Sequence, residues 1–197
     1  DGLINEYCNP CEAIHEYQRI DVLPLEGYEL FEMDGGEYEA FNTSGGLGTL
    51  CETLDGRVRE LNYKTVRYSG HRDKAKFLID ELRMRERREL LKDVLEFAVP
   101  ITYQDVVVIF CSATGRRKGR FVQKSDARKV YPREIGGEIW SAIQVTTAAS
   151  ICALVDLHRE GKIPHQGFVR QEQISLEDFL ANRFGKMYEG SEFQPQR

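Results

Sequence analysis

Glu29-Leu30-Phe31-Glu32-Met33-Asp34-Gly35-Gly36-Glu37-Tyr38-Glu39-Ala40-Phe41-Asn42-Thr43-Ser44-Gly45-Gly46-Leu47-Gly48 decides the fold class. Two short runs of β character, 29–33 and 37–41, flank Asp34-Gly35-Gly36, a hairpin signal. The second run passes into a polar, glycine-rich turn, which opens a short helix over 49–54 closed by Asp55-Gly56. Antiparallel pairing followed by helix is thus written into twenty consecutive residues.

The pattern continues outward. Residues 19–25 are extended in character, with Ile20, Val22 and Leu23 ahead of Pro24. Residues 62–68 alternate as a strand does, with Tyr63, Thr65 and Arg67 on one side. Ser69-Gly70 breaks that strand, and a helix is expected over 71–83, with Ala75, Leu78, Ile79 and Leu82 on one face. A second helix over 87–98 carries Leu90, Leu91, Val94, Leu95 and Ala98 and ends at Pro100. Residues 106–110 form a continuous apolar run, expected to be a central strand buried on both faces. Gly115 to Gly119 reads as a hairpin turn, 120–131 and 138–143 as strands around a turn at 134–137. A helix over 144–158 presents Val145, Ala148, Ile151, Cys152 and Val155 and stops at Gly161. Ser175-x-x-Asp178 opens a last helix, and the polar tail after Tyr188 is expected to fray. Strand runs with helices between them predict an α+β fold with a mixed, largely antiparallel sheet and helices packed on it.

Composition bounds function. The 197 residues are 41% hydrophobic and 30% charged, with net charge -5. The chain is long enough for a full core without staples, and its charge argues against a nucleic-acid partner. No apolar run approaches the ~20 residues of a membrane span. No signal peptide is read at the start, while the missing initiator Met and the buried character of Leu3-Ile4 imply that polypeptide precedes Asp1. Five scattered cysteines suit free thiols in a reducing cytoplasm.

Four features hold potential chemistry. Cys8-Asn9-Pro10-Cys11 is a lone CxxC, lacking the second pair that zinc would want, and is expected to be two small residues in a turn. Ser44-Gly45-Gly46-Leu47-Gly48 matches neither GxGxxG nor a P-loop. It either offers backbone N–H groups to an anion or lets two elements pack closely, and spacing leaves both open. Arg67, within its strand, can fork onto a carboxylate or serve as an ion-paired edge residue. His71 lies where strand gives way to helix, a position that projects an imidazole toward a cleft or makes it a polar first-turn residue. His15, His158 and His165 show no metal-ligand spacing. Arg116-Arg117-Lys118-x-Arg120 is a basic hairpin tip, read as solvated because aromatic residues do not interleave it.

Three stretches give the chain a resemblance. They are Glu39-Ala40-Phe41-Asn42-Thr43-Ser44-Gly45-Gly46-Leu47-Gly48-Thr49-Leu50, then Leu61-Asn62-Tyr63-Lys64-Thr65-Val66-Arg67-Tyr68-Ser69-Gly70-His71, and Ala142 to Ala149 with Gly167 to Glu172. Together they resemble the C-terminal domain of the saccharopine dehydrogenase family, the wider group of lysine 6-dehydrogenase and carboxynorspermidine dehydrogenase. Ser69 stands where that family usually has Pro. The resemblance implies a domain over 1–188, similar to the C-terminal fold of glyceraldehyde-3-phosphate dehydrogenase, followed by a polar tail over 189–197. It implies a full-length enzyme acting on the CH–NH bond of an amino-acid-like substrate with NAD or NADP, held by a Rossmann domain absent from this chain. No cofactor is then expected on this chain alone. By the same resemblance Thr43, Ser44, Gly45, Gly46 and Arg67 would bind substrate, His71 would orient it or move a proton, and the domain would form a homodimer. The helix around 151–157 would then expose apolar surface meant for the missing domain. The alternative is a dimerisation or binding module derived from that domain, without turnover.

Overall fold

The computed structural model describes residues 1–33 and 35–190. Asp34 of the expected hairpin turn and residues 191–197 of the expected tail lie outside the described residues. The fold is α+β, and every ladder is antiparallel among the described residues. The chain divides into two compact units, Asp1–Pro100 and Ile101–Arg197.

The first unit opens with α1 (Gly2–Cys8), which buries Ile4, Tyr7 and Cys8. That i, i+3, i+4 spacing is one helical face. Next come β1 (Cys11–His15) and β2 (Gln18–Val22), then β3 (Glu29–Met33) and β4 (Gly36–Asn42), the hairpin expected from sequence. After α2 (Leu50–Leu54) the chain adds β5 (Glu60–Leu61) and β6 (Lys64–Tyr68). Two sheets result, ordered β2-β1-β5 and β3-β4-β6.

The unit closes with α3 (His71–Lys76), which widens into a π-helical turn at Phe77–Glu81, then a 3-10 turn at Met84–Glu86 and α4 (Arg88–Ala98). The single helix expected over 71–83 is therefore interrupted. A π turn adds one residue to the winding and rotates the apolar face. Ile79 stays buried while Leu82, expected on the same face, is exposed. Ile4, Tyr7, Cys8, Leu25, Phe41, Ile79 and Leu91 form the core, with Ala75, Met84 and Leu95 against it.

In the second unit β7 (Val107–Arg117) and β8 (Arg120–Val130) form a two-stranded ribbon. The apolar run expected as a central strand is thus the base of an open ribbon, and Phe110 is 58% exposed. A continuous apolar run is not diagnostic of burial on both faces, because one paired neighbour is enough to hold the strand. The turn is tighter than expected. Lys118 and Gly119 both have positive φ (52° and 77°), as a two-residue hairpin loop requires.

A short hairpin, β9 (Arg133–Ile135) with β10 (Glu138–Trp140), leads into α5 (Ala142–Arg159). The strand expected over 138–143 ends early because Ser141 caps the helix in a capping box with Gln144, and the Asp105 carboxylate accepts from the Ala142 and Ile143 amides at 2.8 and 2.9 Å. The buried face of α5 is Ala142, Val145, Ala149, Ala153 and Leu157. Ala148, Ile151 and Val155 of the expected face lie outside it. Alanines let the helix approach its neighbours closely, so the small residues turn inward and Ile151 and Val155 stay exposed. The chain then forms α6 (Leu176–Ala181), started by the Ser175 hydroxyl accepting from the Asp178 amide, and a 3-10 turn at Gly185–Tyr188.

Candidate functional site

The site is built on one face of β4 and β6. The antiparallel register places Glu39 opposite Arg67 and Phe41 opposite Thr65. Directly opposed residues share a face, so Glu39, Phe41, Thr65 and Arg67 point the same way. Glu39, Phe41 and Thr65 are buried there. After Tyr68 the chain must turn sharply into α3, and Gly70 does so at φ 87°, a conformation that costs glycine little. His71 is brought back toward Arg67 by that turn.

Glu39 fixes the turn. Its carboxylate, 1% exposed, accepts from the Gly70 amide at 2.8 Å and from the Arg72 amide. A buried charge is tolerable when hydrogen-bonded in this way. Arg72 in turn donates to the Leu25 carbonyl at 2.7 Å and pairs with Glu26, anchoring the start of α3.

Helix α1 covers the face and supplies the side chain that joins the others. The Tyr7 hydroxyl lies 3.0 Å from Arg67 Nε and 2.9 Å from His71 Nε2. Its ring meets Phe41 edge-on at 5.7 Å and His71 at 5.8 Å, while Phe41 and His71 stack at 6.3 Å. Arg67 also donates through Nη1 to the Val66 carbonyl at 2.9 Å, and Nη2 stands 3.8 Å from Glu6. Burial pushes the Tyr7 phenol up, although Arg67 pulls the other way. Burial, then Arg67, lowers His71, against an opposing pull from Glu39. At neutral pH the cluster is one guanidinium, one phenol and one neutral imidazole.

The glycine-rich loop separates into different roles. Ser44 donates its amide to the Glu6 carbonyl at 3.0 Å and its hydroxyl to the Asn5 carbonyl at 3.1 Å, which satisfies the end of α1. A Cβ on Gly46 would fall 2.2 Å from the Tyr63 ring, so Gly46 is required for close packing. Burial raises the Tyr63 phenol, with Glu6 adding to that and Arg67 opposing it. Gly45, at φ 89°, faces open space. Thr43 lies two residues past Phe41 and is buried, and its hydroxyl has no partner among the described residues.

The structure therefore gathers Arg67 and His71 directly and Ser44 through α1, while Gly46 packs on Tyr63. As folded, the loop does not fit a nicotinamide dinucleotide. The Ser44 amide is taken, the space beside Gly46 is filled, and the helix that follows has five residues, too short a stack of peptide dipoles to hold a pyrophosphate.

The other motifs stay apart from this site. Cys8 ends α1 and Cys11 begins β1, both buried and free. Burial pushes both thiols up, the opposite of what a reactive thiolate needs. His15 pairs with Glu60 at 3.1 Å, and His165 with His158 at 3.2 Å. No group of three metal-ligating side chains occurs among the described residues. Arg116, Arg117, Lys118 and Arg120 are exposed at the ribbon tip.

Sequence reasoning missed Tyr7 and Glu39. Both left a signal. Tyr7 shares helical spacing with Ile4 and Cys8, and Glu39 is in phase with Phe41, which places a carboxylate on the apolar side of a strand.

Fold and site define an α+β protein whose first unit joins an arginine to a neutral histidine through a buried tyrosine. No protein-family model matches the chain.

Proposed function

We propose that the first unit binds a carboxylate of an amino-acid-like ligand at Arg67. In this reading the chain is the substrate-binding part of an NAD(P)-dependent oxidoreductase of the saccharopine dehydrogenase type, acting on a CH–NH bond. The nicotinamide cofactor is held by another domain of the same polypeptide. The observation that carries the reading is the state of Arg67. A guanidinium has five N–H donors, and two are committed, to Tyr7 and Val66. For the three that remain, the nearest charged partner among the described residues is Glu6, 3.8 Å from Nη2. A carboxylate arriving at hydrogen-bond distance outcompetes so loose a pair. Thr43, Ser44, Gly45 and Gly46 shape the wall beside it, and His71 orients the ligand or moves a proton. Five free thiols suit a reducing cytoplasm.

Two arms test this. The full polypeptide is assayed for NAD(P)H formation with saccharopine and with lysine, and the chain itself is titrated with glutarate. Arg67→Ala should weaken glutarate binding by about tenfold or more, the worth of a charged hydrogen bond, and raise KM far more than it lowers thermal stability. Equal losses in binding and stability would return Arg67 to an architectural role.

The second reading is an assembly module without turnover. It draws on the second unit, where Phe121, Ile151 and Val155 are exposed at 71%, 59% and 61%, more apolar surface than an isolated unit gains from showing. A full polypeptide that dimerises yet turns over neither substrate would favour it.

A further inference from the structure

We propose that Tyr7 is the positioning residue of this site: its hydroxyl accepts Arg67 Nε–H and gives its own proton to His71 Nε2, so that His71 carries its proton on Nδ1 and Arg67 keeps its outer nitrogens for the ligand. The inference rests on the carboxylate reading for the ligand, but not for the proton arrangement.

The hydrogen-bond inventory leads to it. Arginine only donates, so at 3.0 Å the Tyr7 oxygen must be the acceptor from Nε. The contact to His71 Nε2 at 2.9 Å then has two directions. If Nε2–H donated, the tyrosine would accept twice, and its own proton would need a further acceptor. The Tyr7 side chain is fully buried, and no other acceptor for its hydroxyl stands among the described residues. A buried hydroxyl proton without an acceptor is costly. If the tyrosine donates to Nε2, the hydroxyl proton, the hydroxyl oxygen, Arg67 Nε and His71 Nε2 are all paired at once. The neutral state of the imidazole is consistent with this. Burial and the facing cations Arg67 and Lys74 hold His71 down against Glu39, with the uncharged Phe41 ring stacked on it.

The arrangement has a consequence for recognition. With Nε tied to a rigid, buried oxygen and Nη1 to the Val66 carbonyl, the guanidinium plane is set before a ligand arrives. A preset fork loses less freedom on binding. Tyr7 acts on the ligand through Arg67 and on the imidazole through its proton.

The test reads the histidine tautomer by long-range nitrogen–proton NMR on the full chain, together with glutarate titration. In the wild type, His71 should show a bare Nε2 and a protonated Nδ1, the reverse of the tautomer that a histidine free in water prefers. In Tyr7→Phe, which keeps the ring, His71 should shift toward Nε2–H, and glutarate should bind about five- to tenfold more weakly, less than for Arg67→Ala because Tyr7 acts on the ligand only by presetting the fork. A wild-type His71 protonated on Nε2 overturns the proposal even if the variant does not fold. A folded Tyr7→Phe with an unchanged tautomer overturns it as well. If glutarate fails to bind the wild type, the carboxylate reading falls and the tautomer result still decides the role of Tyr7.

Discussion

The main polar cluster of each unit is matched in a different way. In the second unit the network around Asp156 is closed, although Arg133 Nε of the same unit is buried without a partner among the described residues. Asp156, buried on α5, accepts from Arg183 Nε at 2.7 Å and Nη2 at 3.2 Å and from Asn182 at 3.5 Å, with Arg159 at 3.6 Å. Tyr188 gives its hydroxyl proton to the Thr146 carbonyl at 2.7 Å. Apart from the Arg159 pair, which lies within α5, each bond ties α5 to the segment beyond α6. In the first unit the polar groups are incompletely matched, and Arg67 is a third exposed. Arg67 keeps three donors, and the Thr43 hydroxyl has no partner among the described residues. A closed network holds elements together, whereas an open one beneath a covering helix leaves interactions to be made with something else. Both units also leave large apolar side chains exposed, Phe97 in the first and Phe121 in the second among them.

Two glycines sharpen the comparison. A Cβ on Gly185 would stand 1.7 Å from the Phe179 carbonyl oxygen and 2.6 Å from its carbon. Backbone cannot yield there without moving α6, so Gly185→Ala should cost the second unit about 4 kcal/mol, the upper reach of single substitutions. Trp140, the chain's one tryptophan, lies in β10 and reports that unit's unfolding by fluorescence in urea. Gly46→Ala meets the Tyr63 ring at 2.2 Å, but that ring is 40% exposed and can swing aside. The cost should be about 1–3 kcal/mol, as for other overpacked sites, read from amide exchange in the first unit. A Gly46→Ala variant damaged more than Gly185→Ala would mean that the Tyr63 contact is rigid and that the first unit is not the more yielding of the two.

Much of the fold was legible from local signals. The β3–β4 hairpin, α2, α4 and the capped start of α6 each carry a turn, cap or period that acts within a few residues, whereas the Ser141 cap of α5 reads as strand. What escaped needed distant partners. The run around Ile109 reads alike for a central strand and for a ribbon, since the difference lies in whether a further strand pairs along β7. The face of α5 was misjudged because Ile151 and Val155 are the larger apolar residues, yet close approach selected Ala149 and Ala153. The site was half legible. Arg67 and His71 stand out by residue type and by position at the ends of elements. Tyr7 is separated from them by some sixty residues, and only the packing of α1 onto β4 and β6 brings it between them.

The smallest expected effect separates the units by pH. Folding lowers the His71 pKa from 6.5, so the unfolded chain binds a proton that the folded one resists. The stability due to the neutral imidazole is complete above about 6.5 and is lost as pH falls from there through the lowered folded value. Asp156 in the second unit is also lowered, by its hydrogen bond from Arg183, from 3.8. Its contribution is intact above that value and is lost only as pH falls below it. Between pH 6.5 and about 4.5, then, amide protection around α1 and β6 should decline while the Trp140 urea midpoint changes little. His71→Gln, which has nothing to protonate in this range, should remove the decline in the first unit and leave the second unchanged. If protection in the wild type holds flat across that interval, the imidazole is not resisting protonation, and the contrast between an open polar cluster and a closed one loses its electrostatic half.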